Sequence, residues 1–534
     1  MNKKKILSVA LTIVLLMGTF AACAPEPPPA PTPEGQGQAA APPVTPLPGQ
    51  APLPEPGTGF QRGVRVAAAT EPPAVMPARH TAFVGHLKNV MTHNGLFRIS
   101  QDGLMPVPDV VREWRAVSDT LFEFTLHEGI LFHNGDEMTA YDVVASLYYV
   151  RTYPEQRAVH GSAESWGVID RYTLWIDTGV PTAVFFPDIA HHGNFIFPSS
   201  LIDAGHDFMS QPIGSGPFVF EEWRTGDFIQ FRANENYFDA ERFPNIAYVN
   251  WRFIPEGASR TIALETDEVD YIVEVALPDV SRLEANPDIT VASRPGAMFN
   301  YFLMNNEIAP FDNIHVRHAI DMALDREAML LVSLDGRGVA ITQTMPSIFP
   351  GQTAEGTRAF DPEGAIALLA EQGFASGDIS FEILVSDEVT RRRAEVAQSN
   401  LADVGIITTI SQMDHAAFIP VVSAGDYEAA FASLTQSDLS VFMRNMLTSE
   451  MIGVRNLSRV NNPELDEIIM RAVTTVDETT RVALLEEAGR MANEYAPYLG
   501  TNMNILFRAM NSNLIAPEFA ANGFRFFNMM YWVE

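Results

Sequence analysis

Chemistry needs reactive side chains at set spacings, and this chain offers few of them. Cys23 is the single cysteine in 534 residues. One thiol cannot close an internal disulfide, so it reads as a point of covalent modification rather than a crosslink. His191, His192 and His206 are ligand-type residues. Adjacent histidines point apart on a strand or a helix, and no cysteine or acid cluster accompanies them, so no metal is expected there. Asp335-Gly336-Arg337-Gly338 is a glycine-rich turn. It follows a helical pattern and lacks the strand-to-helix context of a phosphate cradle. No Gly-x-Ser-x-Gly elbow occurs, and nothing singles out a nucleophilic triad. No reactive constellation of an enzyme is visible, and no cofactor is required.

The ends say where such a protein works. Lys3, Lys4 and Lys5 precede an apolar run from Ile6 to Met17, and small residues then lead to Cys23. That order reads as a secretory signal peptide over residues 1–22, and the run is too short to span a membrane. Thr19-Phe20-Ala21-Ala22-Cys23-Ala24 resembles the bacterial lipobox, with Phe20 in place of the usual Leu. The resemblance implies diacylglycerol on Cys23. Residues 23–59 are rich in Pro, Ala and Gln, with Pro27-Pro28-Pro29 and Pro54-Glu55-Pro56 as examples. Such a tract buries no core and favours extended conformations. It could reach roughly 100 Å as a tether. The chain is expected on the extracytoplasmic face of the membrane, lipid-anchored, in a Gram-positive type of cell, with a Gram-negative periplasm as the alternative. Roughly 475 residues follow the tether, enough for two or three domains. Hydrophobic residues make up 47% and the formal charge is −31. The first indicates a packed core. The second argues against nucleic acid as a partner.

Local patterns supply the elements. Gly63–Ala69 and Leu121–Leu126 read as strands, as do Tyr172–Asp177, Phe218–Trp223 and Phe228–Arg232. Val84–Leu96 reads as a helix ending near Gly95. Asn134-Gly135 signals a tight turn. Thr139 with Asp142 three residues on reads as a capping box, and Val143, Val144, Leu147 and Val150 supply the apolar face behind it. Further helices are expected over Val316–Leu331, Pro362–Gln372, Arg391–Val404, Pro463–Ala472 and Glu478–Glu494. Strands are expected at Phe381–Val385 and Ile406–Ile410.

Several of these segments together resemble one family. His127–Val143, with its Gly129, Phe132-His133, Gly135 and Thr139-Ala140-Tyr141-Asp142-Val143, is similar to the signature of the family 5 extracellular solute-binding proteins of ABC importers. Pro212–Phe218, Asn234–Phe238, Pro310–Glu327 and Phe360–Leu369 follow in the family's order. The resemblance implies an α/β, two-lobed periplasmic-binding-protein-like fold (type II, cluster C), with a hinge between lobes and an extra domain. It places the first lobe at 60–97, 214–300 and 501–534, the extra domain at 98–213 and the second lobe at 301–500. It implies a monomer that captures peptides and docks on ABC permease subunits. An oligosaccharide or nickel chelate as solute, or a sensor on the same fold, are the alternatives. His133, Gly135 and Asp142 are read as scaffold, and Arg317 with Asp325 as a structural ion pair.

The resemblance also implies a pocket. Peptide-binding relatives pair with the peptide backbone and hold its ammonium on an acid that follows an Asp-Tyr-Asp strand. Here Asp426-Tyr427-Glu428 leads to Thr435, Gln436, Ser437 and Asp438. The family's tryptophan is missing and the acid is displaced by about one position. Asp438 is either the ammonium acceptor in a shifted register or a surface loop acid. Val84, Gly85 and His86 are expected to offer backbone to the solute. Phe299, Asn300 and Tyr301 lie at the lobe crossover, and Trp166 is expected to wall the pocket from the extra domain.

Overall fold

Two long strands organise the computed structural model. Ile289–Met304 and Tyr498–Asn511 run antiparallel to each other and lie side by side in an eleven-stranded sheet. Their register shifts between Pro295 and Phe299 and again between Asn300 and Tyr301. Pro295 has no amide hydrogen to donate, and the Ala297 amide bonds to the Ala521 carbonyl instead. The ladder is thus interrupted where the two strands pass from one half of the sheet to the other.

On the near side of the interruption, Ala509–Met510 pair with Tyr271–Ile272. The sheet continues through Val64–Ala68, Tyr248–Phe253, Phe228–Ala233 and Phe218–Arg224. On the far side, Met298–Met304 pair with Ala429–Thr435, followed by Ser380–Val385 and Ile407–Gln412. A separate four-stranded antiparallel sheet joins Val111–Ala116, Leu121–Leu126, Thr173–Asp177 and Ser165–Val168. One apolar cluster unites that smaller sheet with the near half, so the two share a core through Phe122, Phe124, Ile229 and Trp251. The far half has its own clusters on the two faces of its strands.

The description covers residues 62–72, 91–103, 105–152, 162–182, 184–190, 194–436, 438–521, 523 and 525–533. Residues 52–534 form one unit, to which all statements refer. The leader, Cys23 and the tether up to residue 59 lie outside the described residues, as do Val84, Gly85, His86, His191, His192 and Ser437. Only Met91–Leu96 of the helix expected over Val84–Leu96 is described. Met91 and Thr92 are helical, and Gly95 bridges to Phe195.

Most expected elements stand within a residue or two. Two expectations are corrected. The helix expected over Val316–Leu331 is two helices, Ile314–Ala323 and Arg326–Leu334. Leu324 is extended, and the Asp325 carboxylate accepts the Ala328 amide at 2.9 Å as the cap of the second helix. Apolar spacing continues across the break, which is why periodicity alone misses it. The expected Arg317–Asp325 ion pair is absent for the same reason, since that carboxylate is committed to its cap. Arg317 is buried and donates to the carbonyls of Phe311, Tyr495 and Ala496 instead. The buried acid nearby, Asp321, pairs with Arg326.

Candidate functional site

The motif at His127–Val143 builds a frame. Asp142 Oδ2 accepts from the Thr139 amide at 2.8 Å and from the Thr139 hydroxyl at 2.7 Å, closing the start of helix Ala140–Arg151. Its Oδ1 accepts from the amide and hydroxyl of Ser199, both at 2.8 Å. His133 sits 3.0 Å from the Gly216 carbonyl through Nε2, and its own amide donates to Gly214. Both glycines are needed there. A Cβ on Gly214 would lie 2.2 Å from the Thr92 carbonyl oxygen, and one on Gly216 would lie 2.5 Å from that of Met91. Burial pushes His133 down to about 4 and His93 to about 3, so both rings are neutral at physiological pH.

At the crossover the side chains alternate between two surroundings. Phe299 and Tyr301 are fully buried, stacked at 5.5 Å, and packed on Phe442 and Tyr498. Burial raises the Tyr301 phenol well above its ordinary range. Asn300 points the other way, into a buried polar group. Its amide donates to the Asn502 carbonyl and to Asn504 Oδ1, and its oxygen accepts Arg393 Nη1 at 2.9 Å. Burial pulls Arg393 down to about 10. Trp166 is buried under helix Ala140–Arg151, with Tyr148 at 5.0 Å and the Arg151 guanidinium 4.7 Å from its ring. The structure places it in the core of the smaller-sheet unit.

Strand Ala429–Thr435 lies beside the crossover, with Thr435 opposite Met298 and Ser433 opposite Asn300. Ser433 and Thr435 are exposed and Gln436 is half-buried. On its other edge this strand pairs with Ser380–Val385 only at Ala429 and Ala430. Beyond Ala430 that backbone edge has no strand partner among the described residues. Asp438, by contrast, is buried. Oδ1 accepts the Val441 amide at 3.1 Å and caps helix Leu439–Leu447, while Oδ2 meets Arg481 Nη1 at 3.3 Å. The loop-surface alternative for Asp438 does not describe this position. An acid just before an apolar helical run is a cap signal that was readable in the sequence. Arg481, 43 residues away, was not.

Asp188, in the short helix Phe185–Ile189, lies within electrostatic reach of the same acid. Burial raises its carboxyl to about 7, Ser162 lowers it in part, Asp438 adds repulsion, and Arg444 offsets some of that. Because the folded value lies above the unfolded one, ionised Asp188 opposes folding above pH 7. The penalty is relieved as pH falls from about 7 towards 4. Asp188→Asn should therefore stabilise the protein by roughly 1–2 kcal/mol at pH 8, allowing for solvent screening. The gain should vanish at pH 4. Urea unfolding at the two pH values checks this, and an equal gain at both would rule out titration of Asp188 as the cause.

Among the described residues, no cluster of His, Cys, Asp and Glu could hold a metal ion, and no helix is long and apolar enough to cross a membrane. Comparison with known proteins gives a consistent picture. Residues 105–453 match the sequence signature of the bacterial extracellular solute-binding proteins, family 5, middle region. Heme-binding protein A of Haemophilus influenzae is 26% identical over 439 residues, covering 76% of this chain and 80% of the relative. The glutathione-binding protein GsiB of Salmonella paratyphi A is 24% identical over 447 residues, covering 79% and 85%. HbpA2 from Haemophilus parasuis superposes with a TM-score of 0.82 at 22% identity, covering 89% of this chain and all of that one. The expected α/β, two-lobed fold is the fold found.

Proposed function

As the chain belongs to the bacterial extracellular solute-binding proteins of family 5, we propose that it captures extracellular peptides and delivers them to an ABC permease. The family binds solutes rather than transforming them. The observation that carries the peptide reading is the backbone edge beyond Ala430, which has no strand partner among the described residues, next to exposed Ser433 and Thr435. An extended peptide can add to such an edge through main-chain bonds that ignore side-chain identity. The charge common to free peptides is the ammonium, and the Asp188–Asp438 pair supplies acid for it. Glutathione, for which one relative is named, is itself a short peptide. Another relative is named for heme, so family membership alone does not select the solute.

In this reading, residues 60–97, 214–300 and 501–534 form one lobe, 301–500 the other, and 98–213 the extra domain. The hinge is the ladder interruption at Pro295–Tyr301. The chain acts as a monomer, held outside the membrane by lipid on Cys23 and the proline-rich tether. Incorporation of labelled palmitate should be lost in Cys23→Ser.

Thermal unfolding in the presence of candidate solutes tests the function. A ligand at 100 times its Kd adds about 2.7 kcal/mol to the stability of the state that binds it. Di- to hexapeptides and glutathione should raise the melting temperature in a saturable way. A rise with oligosaccharides, nickel–histidine chelates or heme alone would replace the peptide with that solute.

A further inference from the structure

Two arginines in the core of the near half have no carboxylate in contact with them. Arg525 and Arg508 are 1% and 2% exposed. Among the described residues neither has a carboxylate oxygen within 4.0 Å. Arg525 Nη2 donates to the Val273 carbonyl at 2.9 Å and the guanidinium lies beside the Tyr271 hydroxyl, while its buried Nε and Nη1 have no acceptor at hydrogen-bond geometry. Arg508 Nε is unpartnered as well. Burial, with Arg508 alongside, pulls Arg525 down to about 9, which still leaves it charged at neutral pH.

Arg525 lines a cavity of about 50 Å³ together with Arg98, Arg242, Asp109, Asn94 and His93. Arg98, whose side chain is partly exposed, has no hydrogen-bond acceptor at Nε, which stands 3.9 Å from Asp109 Oδ1. The one carboxylate in the wall is fully engaged. Asp109 accepts from the Asn94 side chain, from the Gly95 amide and from Arg242 Nη2 at 2.6 Å. Arg242 also holds Asp239 at 2.6 Å. His93 is neutral. Counting Arg98, Arg242 and Arg525 against Asp109 and Asp239 leaves one positive charge in excess. Arg508 and Glu274, the further charged groups that face Arg525, cancel each other.

We propose that this cavity binds one small monovalent oxyanion, a carboxylate or a group of that size, on the unpartnered N–H groups of Arg525 and Arg98. Water could accept the same hydrogen bonds but would leave the excess charge in place, and buried charge is tolerated where it is paired. Guanidinium groups pair well with planar oxyanions. The volume admits a few water-sized positions and excludes a peptide or a porphyrin. The site is independent of the solute proposed above.

The test uses the full chain at constant ionic strength, with sodium acetate replacing a bulky counter-anion that the cavity excludes. Acetate should raise the melting temperature saturably, and Arg525→Gln should weaken its apparent affinity by about tenfold or more, the effect of one charge-assisted hydrogen bond. Line broadening of carbon-13 acetate in the presence of wild-type protein, and its loss in the more exposed Arg98→Gln, gives a second readout should Arg525→Gln not fold. Acetate displaced by a saturating dipeptide would overturn a site independent of the solute. Acetate retained beside the dipeptide would assign it to a resident ion. A melting temperature that ignores the anion, with no acetate broadening, would overturn the site.

Discussion

Arg317→Met is expected to lower the free energy of unfolding by about 3–5 kcal/mol, a large effect for a residue that touches no solute in this reading. Arg317 is 1% exposed. It reaches the Tyr495 carbonyl at 2.7 Å, Ala496 at 2.9 Å and Phe311 at 2.7 Å. Two of these acceptors end helix Glu478–Tyr495, where Ala496 turns into a left-handed conformation with φ of 50°. The last carbonyls of a helix lack internal donors and carry the negative end of its dipole, so one cation there answers both needs. Methionine fills similar space but donates nothing, leaving three buried acceptors unpaired. Arg317→Lys should recover less than half, because one ammonium cannot reach three divergent carbonyls. Urea unfolding of the two variants decides the matter. A loss below about 1 kcal/mol for Arg317→Met would mean that water replaces the guanidinium.

Arg317 also shows how far the sequence could be read. Its place in a helix was legible, because apolar spacing is local. Its partners were not, since the Ala496 carbonyl lies 179 residues away and only the tertiary fold brings it near. The same division runs through the molecule. Leu121–Leu126 alternates and is a strand over those very residues, and Asp361 and Gly373 bound helix Pro362–Glu371 as their chemistry requires. The break at Leu324 hid behind an unbroken apolar period. Within the candidate site, Thr435 and Asn300 were chosen through the family resemblance, and strand pairing brings their segments together. The resemblance could not tell which crossover side chains face the core. Phe299 and Tyr301 do, and Trp166 is buried in the smaller-sheet unit. Asp188 carried no local signal, because only an acid from a distant segment makes its carboxyl unusual.

Asp438→Ala is the second large effect, with an expected loss of about 2–4 kcal/mol. The substitution removes a helix cap and strands Arg481, whose side chain is 10% exposed, with Glu478 at 2.7 Å as its remaining acid. Asp438→Asn separates the two causes, because asparagine caps a helix as well as aspartate does but offers no charge. Its deficit should persist at about half that of alanine. A double-mutant cycle with Arg481→Met should return a coupling of about 1–3 kcal/mol. The structural duty does not exhaust the carboxylate. Arg481 stands at 3.3 Å from Oδ2, long for a charge-assisted bond, and Asp188 adds a second acid within electrostatic reach. A peptide ammonium seated between the two would favour the ionised form of Asp188. By linkage, affinity for peptides with a free amino terminus should then fall as pH drops through about 7, whereas N-acetylated peptides should show no such slope. Asp438→Asn should weaken the free peptide by about tenfold or more and leave the acetylated one nearly unchanged. Equal loss for both peptides would confine Asp438 to its cap and its arginine, and would remove the ammonium from this corner of the site.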